Sequence, residues 1–219
     1  MTKFYFIRHG KTQWNLEGRY QGANGDSPLL EESYTDIKYL SEFLQDIKFD
    51  KVFSSPLKRA QVTAETLIND MGINIPIITY DELREFNLGI MEGEKFKDVE
   101  SKFPGLIWAF RNSPEDYDET IINGESFQDV IKRTNKLIKS IAKDSTGDEN
   151  YIVVSHGAAL VAMIKSLANE KLNDLRKDGG LSNTSVTTME TDDYGESFEL
   201  LDWNNTQFLH KKKDVTDTI

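Results

Sequence analysis

Cysteine is absent from this 219-residue chain, and histidine occurs only three times. Without cysteine there is no disulfide, no thiolate nucleophile and no cysteine-held metal, a composition that fits a reducing compartment. Proline is scarce, at five residues, and no Pro/Gly/Ser-rich tract or low-complexity run divides the chain. Residues 1–219 therefore read as a single domain. No apolar run approaches a membrane span: the best candidate, AALVAMIKSLA, is short and carries Lys165. The opening MTKFYFIRHG has too short an apolar run for a signal peptide, so the expected location is cytoplasmic. Positive charge is in the minority. Twenty-six Lys and Arg face 37 Asp and Glu, a formal net charge of -11. The long-range field of such a chain repels nucleic acid and anionic lipid, and neither is an expected partner. An anionic ligand has to be met by a local cluster of cations.

What the chain does contain is enough apolar material for a sizeable core, 38% against 29% charged residues. Strand-like runs recur at FYFI (4–7), KVFS (51–54), IPIIT (75–79), YIVVS (151–155), TSVTTM (184–189) and FELLDW (198–203). Helical periodicity lies between several of them. Ile37, Leu40, Leu44 and Ile47 mark one apolar face; Leu57, Ala60, Ala64, Leu67, Ile68 and Met71 mark a second; Phe127, Val130, Ile131, Leu137, Ile138 and Ile141 mark a third. Ser126 with Asp129 three residues on predicts the start of that third helix. Strands alternating with helices predict an α/β fold, a three-layer α/β/α sandwich around a mostly parallel sheet. The last two runs, joined around Asp192–Gly195, predict a hairpin and hence one antiparallel strand. The segment 86–124 is long, irregular and aromatic, and suits an insertion capping an active site. Residues 210–219 read as a polar tail that frays.

FIRHG (6–10) and VVSHG (153–157) share a plan of apolar strand, His and Gly. In an open α/β sheet, ligands bind at the carboxyl ends of strands, which would bring His9 and His156 to one edge. A lone histidine is more often structural than catalytic, but the repeated setting favours a site. Gly10 leaves room for a ligand to approach. His210, in the polar tail, carries no such signal. Arg59 follows SSPLK, where Pro56 fits the first helical position with Ser55 as cap. Arg59 then stands in the first turn off the apolar face, able to grip an anion or simply to face solvent. Glu85 lies in LREFNLGIMEG, where a carboxylate is ordinarily just solvated.

Together these segments resemble the histidine phosphatase, or phosphoglycerate mutase-like, superfamily. RHGKT (8–12), Asn15 and GRYQG (18–22) match its signature, as do SSPLKRAQVTAE (54–65), LREFNLGIMEG (83–93), GES (124–126) and VVSHG (153–157). The motifs come in family order and reach the Asn183–Thr184–Ser185 segment. The resemblance implies a metal-independent enzyme without cofactor, in which His9 becomes phosphorylated. Arg8, Arg59 and His156 then hold the phosphoryl group, and Glu85 acts as proton donor. Asn15, Gln21, Gly22 and Gly157 contact phosphate or substrate. The chemistry needs such residues, since phosphoryl transfer depends on positioning and on stabilising charge spread over phosphoryl oxygens. An imidazole near neutrality can attack phosphorus and split the displacement into two easier steps.

The sequence also departs from the family pattern. QGANGDSPL carries one residue more than the usual GxxDxPL loop, Lys11 replaces an acid or Gln, and LLEESYTDIKYL lacks the common threonine, glycine and Gln-Ala. The stretch WAFRNSPEDYDETIINGES has one arginine, Arg111, and no proline run, unlike mutases that grip a second acidic group there. The expected activity is therefore hydrolysis of small phosphomonoesters, with a small phosphorylated metabolite as partner and a monomer or homodimer as assembly. Alternatives are a cofactor-dependent phosphoglycerate mutase, a non-catalytic binder of phosphorylated ligands and a metal-dependent hydrolase. The arginines beside the histidines and the lack of HExxH count against the last.

Overall fold

A computed structural model describes residues 1–210; the expectation for the rest of the tail lies outside the described residues. Six strands form one sheet: β1 (Thr2–Arg8), β2 (Lys51–Ser54), β3 (Ile77–Thr79), β4 (Asn150–Ser155), β5 (Val186–Thr191) and β6 (Glu199–Asn205). Their order is β3-β2-β4-β1-β5-β6. β1, β4, β2 and β3 are mutually parallel, while β5 is antiparallel to both β1 and β6. One strand thus runs against the other five, as the hairpin signal predicts.

The apolar runs explain the layers. Successive side chains of a strand point to opposite faces. In β4, Tyr151 and Val153 enter one core with Phe4 and Phe6, and Ile152 and Val154 enter the other with Ile7 and Val52. The first face is covered by α6 (Phe127–Lys143) and α7 (Gly157–Leu167), through Leu137, Ile138, Leu160 and Ile164. The second is covered by α2 (Glu31–Leu44) and α3 (Lys58–Asp70), through Ile37, Leu40, Ala60, Ala64 and Leu67. Each fully buried Leu, Ile or Phe contributes about 1.5–3 kcal/mol. With both faces covered, the central strands carry continuous apolar runs.

α1 (Gln13–Leu16) is a single turn after β1, and α4 (Phe96–Lys102) and α5 (Pro104–Asn112) lie in the 86–124 segment. That segment is built from short helices and turns. Its Phe86, Leu88, Leu106, Ile107, Phe110, Tyr117 and Ile122 share a third core with Phe127, Val130, Ala158 and Ala162. Trp108 instead stands exposed. Ser126 caps α6, accepting from Asp129 N at 3.0 Å, as expected. Among the described residues no helix is long and apolar enough to cross a membrane.

One local expectation is corrected. α3 begins at Lys58 with Leu57 as N-cap, two residues later than the Ser55–Pro56 reading. The Ser55 hydroxyl is 2.7 Å from His156 Nε2, a tertiary claim that a local cap reading does not foresee. Arg59 stands in the first turn as expected, and its buried side chain rules out the alternative of a solvated arginine.

Candidate active site

The chain leaves β1 toward β2 on one side of the sheet and leaves β4 toward β5 on the other. The crevice between β1 and β4 is therefore a topological switch point, the usual place for a ligand. Arg8 pairs in register with Ser155, so the residues that follow, His9 and His156, are neighbours. Their ring centroids are 5.2 Å apart.

His9 is anchored by its backbone N–H, which donates to Ser155 O at 3.0 Å. Its Nδ1 lies 2.8 Å from Gly10 O. A carbonyl only accepts, so Nδ1 carries the proton and Nε2 presents a lone pair. Among the described residues nothing bonds that Nε2. Burial, then the charges of Arg59 and Arg8, hold the His9 pKa well below its ordinary value of 6.5. The ring is thus neutral near pH 7, as a nucleophile requires.

His156 is wired differently. Arg59 Nε donates to its Nδ1 at 3.1 Å, which places the ring proton on Nε2, directed at Ser55 Oγ. Burial and then Arg59 also hold its pKa well below 6.5.

Arg59 has further partners in the 22–28 loop: Gly22 O at 3.0 Å, Gly25 O at 2.7 Å and the Asp26 carboxylate at 3.1 Å. Arg8 donates to Leu181 O and lies against Gly157, where an added Cβ would come within 3.1 Å of Arg8 Nε. Gly157 thus makes space for a guanidinium. Burying two such cations costs several kcal/mol each unless their N–H groups are met. The 22–28 loop supplies much of that matching for Arg59, and Leu181 O meets one N–H of Arg8.

Asn15 reaches the site through a capping box: its Oδ1 accepts from Thr12 N at 3.1 Å and its N–H donates to Thr12 Oγ1 at 3.3 Å. Gln21 lies between Thr12, Ser27 and Arg59, and satisfies all three when its oxygen faces Arg59 Nη1. Gly22 contributes its carbonyl to Arg59.

Glu85 is buried and accepts three backbone bonds, from Phe86 N at 2.9 Å, Ala159 N at 2.8 Å and Ala158 N at 3.0 Å. It ties the loop before the 86–124 segment to the first turn of α7, directly after His156. Arg133 of α6 fixes the same loop, donating to Arg84 O at 2.9 Å and Glu85 O at 3.1 Å, and also to Glu82 O. Its guanidinium is completed by Glu125 of the GES motif, at 2.6 and 2.9 Å.

The sequence-expected residues thus converge on one edge. The structure adds Arg133, Asn183, Asp26 and Arg176. Asn183 donates to His9 O at 3.1 Å. Arg176 is buried with its guanidinium over Phe110, 5.3 Å from the ring centroid. Burial lowers its pKa to about 10, with Glu85 acting in the opposite direction. The buried Tyr20, its pKa pushed up to about 12 by desolvation, lies near both Arg111 and Arg176. Among the described residues no three His, Asp or Glu side chains gather as a metal-holding group. The arrangement suits binding of an anion beside a neutral imidazole.

Comparison with known proteins agrees with this geometry. Residues 4–206 match the model of the histidine phosphatase superfamily (branch 1). The chain is 29% identical over 170 residues to a Bacillus subtilis protein described as the uncharacterised phosphatase PhoE, covering 77% of this chain and 78% of that one. It is 30% identical over 168 residues to the "probable phosphoglycerate mutase GpmB" of Salmonella paratyphi A, covering 76% and 75%. Among solved structures, Bacillus stearothermophilus YhfR superposes with a TM-score of 0.85 at 31% identity, covering 94% and 98%. A mycobacterial glucosyl-3-phosphoglycerate phosphatase superposes with a TM-score of 0.79 at 26% identity, covering 92% and 98%.

Proposed function

The chain belongs to the histidine phosphatase superfamily (branch 1), and on that premise we propose that it is a phosphatase hydrolysing small phosphomonoesters through a phosphohistidine at His9. The observation that carries this reading is the His9 ring. Its Nδ1 proton is fixed on Gly10 O, and its Nε2 lone pair stands beside two buried arginines.

In the proposed cycle, Nε2 attacks phosphorus, the P–N bond forms and the ester P–O bond breaks. Arg8 and Arg59 stabilise the charge on the phosphoryl oxygens. Glu85, protonated at that moment, gives its proton to the leaving oxygen. Water then attacks the phosphohistidine, returns a proton to Glu85 and releases inorganic phosphate. Oε1 accepts two N–H bonds and Oε2 one in this structure, so Oε2 keeps a lone pair that can carry the proton. His156 acts chiefly on Arg59, and touches a phosphoryl oxygen only if its Nε2–H leaves Ser55.

The 86–124 segment is read as the cap over the leaving group. Its one arginine, Arg111, is engaged by Glu100, and its aromatic residues Phe86, Phe110 and Tyr117 are packed in the core against Phe127 of α6. A cover whose one arginine is already paired favours a monophosphate with an apolar or neutral body. One feature favours the mutase reading instead: Arg176 adds a buried cation near Glu85 that could meet a second acidic group. The deciding experiment is a phosphomonoester screen with chelator present, scored for phosphate release, for mutase activity with phosphoglycerate and for acid-labile, base-stable phosphate on the protein. Phosphate release with label on His9 is expected. Label on another residue, or activity lost to chelator and restored by a divalent ion, overturns the assignment.

A further inference from the structure

Arg59 is extensively occupied by the protein itself. An arginine carries five N–H groups. Four are taken: Nε by His156, the two of Nη1 by Gly25 O, Asp26 and the Gln21 oxygen between them, and one of Nη2 by Gly22 O. One N–H remains for a phosphoryl oxygen. Three of these partners come from the 22–28 loop, and that loop is committed to its position. A Cβ on Gly22 would fall 2.4 Å from Glu92 Oε1 and 2.7 Å from Phe86 O, and one on Gly25 would fall 2.7 Å from Trp14 Cζ3. Only glycine lets these two carbonyls approach the guanidinium.

Asp26 is the charged member of the group. Its Oδ1 pairs with Arg59, while its Oδ2 accepts from Lys58 N at 2.7 Å at the start of α3. Arg59 is fully buried and Asp26 about one-third exposed, so the pair is only partly screened by water. A phosphoryl group seated on Arg59 meets this carboxylate across the same guanidinium. Both anions draw on one cation, and they repel each other.

Resting on the phosphatase reading, we propose that Asp26 is a positioning residue that competes with phosphate for Arg59, so that the site grips the phosphoryl group weakly enough to release inorganic phosphate. The carboxylate orients the guanidinium while lowering its net attraction for an anion. Hydrolytic turnover gains from this, because product phosphate retained on two buried arginines would block the next cycle.

A purely structural role predicts the opposite sign: loss of Asp26 would loosen Arg59 and weaken anion binding. The test is calorimetric titration of inorganic phosphate and orthovanadate into wild type, Asp26→Asn and Asp26→Ser. Serine removes the charge but keeps an acceptor for Lys58 N. Asp26→Glu retains the charge, and Asp81→Asn removes an exposed carboxylate paired with Arg84 instead of Arg59. Asp26→Asn and Asp26→Ser should bind both anions roughly threefold to tenfold more tightly, with product inhibition strengthened in step. Asp26→Glu and Asp81→Asn should stay near wild type. Unchanged or weaker binding in both neutral variants overturns the proposal and leaves the phosphatase reading standing. Failure of the wild type to bind either anion overturns both.

Discussion

The end of β1 and the end of β4 carry the same pattern of apolar strand, His and Gly, yet the two histidines are wired for different work. His9 spends one ring nitrogen on the adjacent Gly10 carbonyl, and among the described residues nothing bonds its Nε2. His156 spends both, on Arg59 and on Ser55. Their glycines differ as well. Gly10 N–H donates to Thr63 Oγ1, fastening the loop after β1 to α3, whereas Gly157 opens α7 and clears space for Arg8. A shared motif therefore fixes where a histidine sits, and the neighbours of its two nitrogens decide what it can do.

The comparison breaks most sharply at His9, the proposed nucleophile. His9→Ala should abolish turnover and phosphoenzyme while leaving the fold intact, checked by circular dichroism and by quenched labelling. His156→Ala should still form the phosphohistidine, slowed roughly 10²–10³-fold as one oriented donor system is lost. Equal loss of labelling in both variants would erase the distinction drawn between them.

Glu85 sharpens the same contrast, since it binds the α7 turn that His156 begins. Glu85→Gln should slow alkyl phosphates ~10²–10⁴-fold and p-nitrophenyl phosphate much less, because nitrophenolate leaves without a proton. Parallel loss on both substrates would make Glu85 a scaffold for α7 instead of an acid.

The smallest effect is on stability. Both histidines are held well below 6.5 in the folded protein, by burial first and by Arg59 next. Between those lowered values and 6.5 the unfolded chain binds more protons than the folded one. Their contribution is therefore whole above about pH 6.5 and is lost as pH falls below it. Urea melts at about pH 7.5 and about pH 5 should show this slope, and a His9→Asn/His156→Asn protein should show less of it. An unchanged slope would mean that carboxylates alone govern the acid transition.

The strands and the two His–Gly ends were legible because a continuous apolar run that stops at a polar residue marks both burial and its limit. Three helices and the cap of α6 were legible for a similar reason, in that the signals are local. What stayed hidden depends on residues far apart in sequence. Ser55 looked like a helix cap, and its hydroxyl belongs to His156, 101 positions away. Arg133, Arg176 and Asp26 sit in polar stretches, where nothing separates a buried guanidinium or a paired carboxylate from a solvated one. Thr184 adopts a left-handed backbone, φ 60°, rare for a β-branched residue, where its N–H meets Arg8 O at 3.1 Å. No sequence signal marks that turn.

The grip of Arg133 on the loop before the 86–124 segment has a bearing on how such a protein can diversify. Three consecutive-region carbonyls, those of Glu82, Arg84 and Glu85, converge on one guanidinium, and Glu125 closes the ring from the far end of the segment. Adding or deleting a residue between 82 and 85 would misalign all three at once. The stretch beyond, from 86 to 124, is pinned at both ends of its excursion, by Glu125 N–H donating to Asn87 O at 2.8 Å, by Asn87 N–H donating to the Glu125 carboxylate at 3.3 Å, and by the shared clamp. Length and composition can therefore drift inside the excursion while its stem stays fixed. On the proposed reading, new leaving groups can be accommodated by rewriting this segment, with Glu85 at its stem held in register.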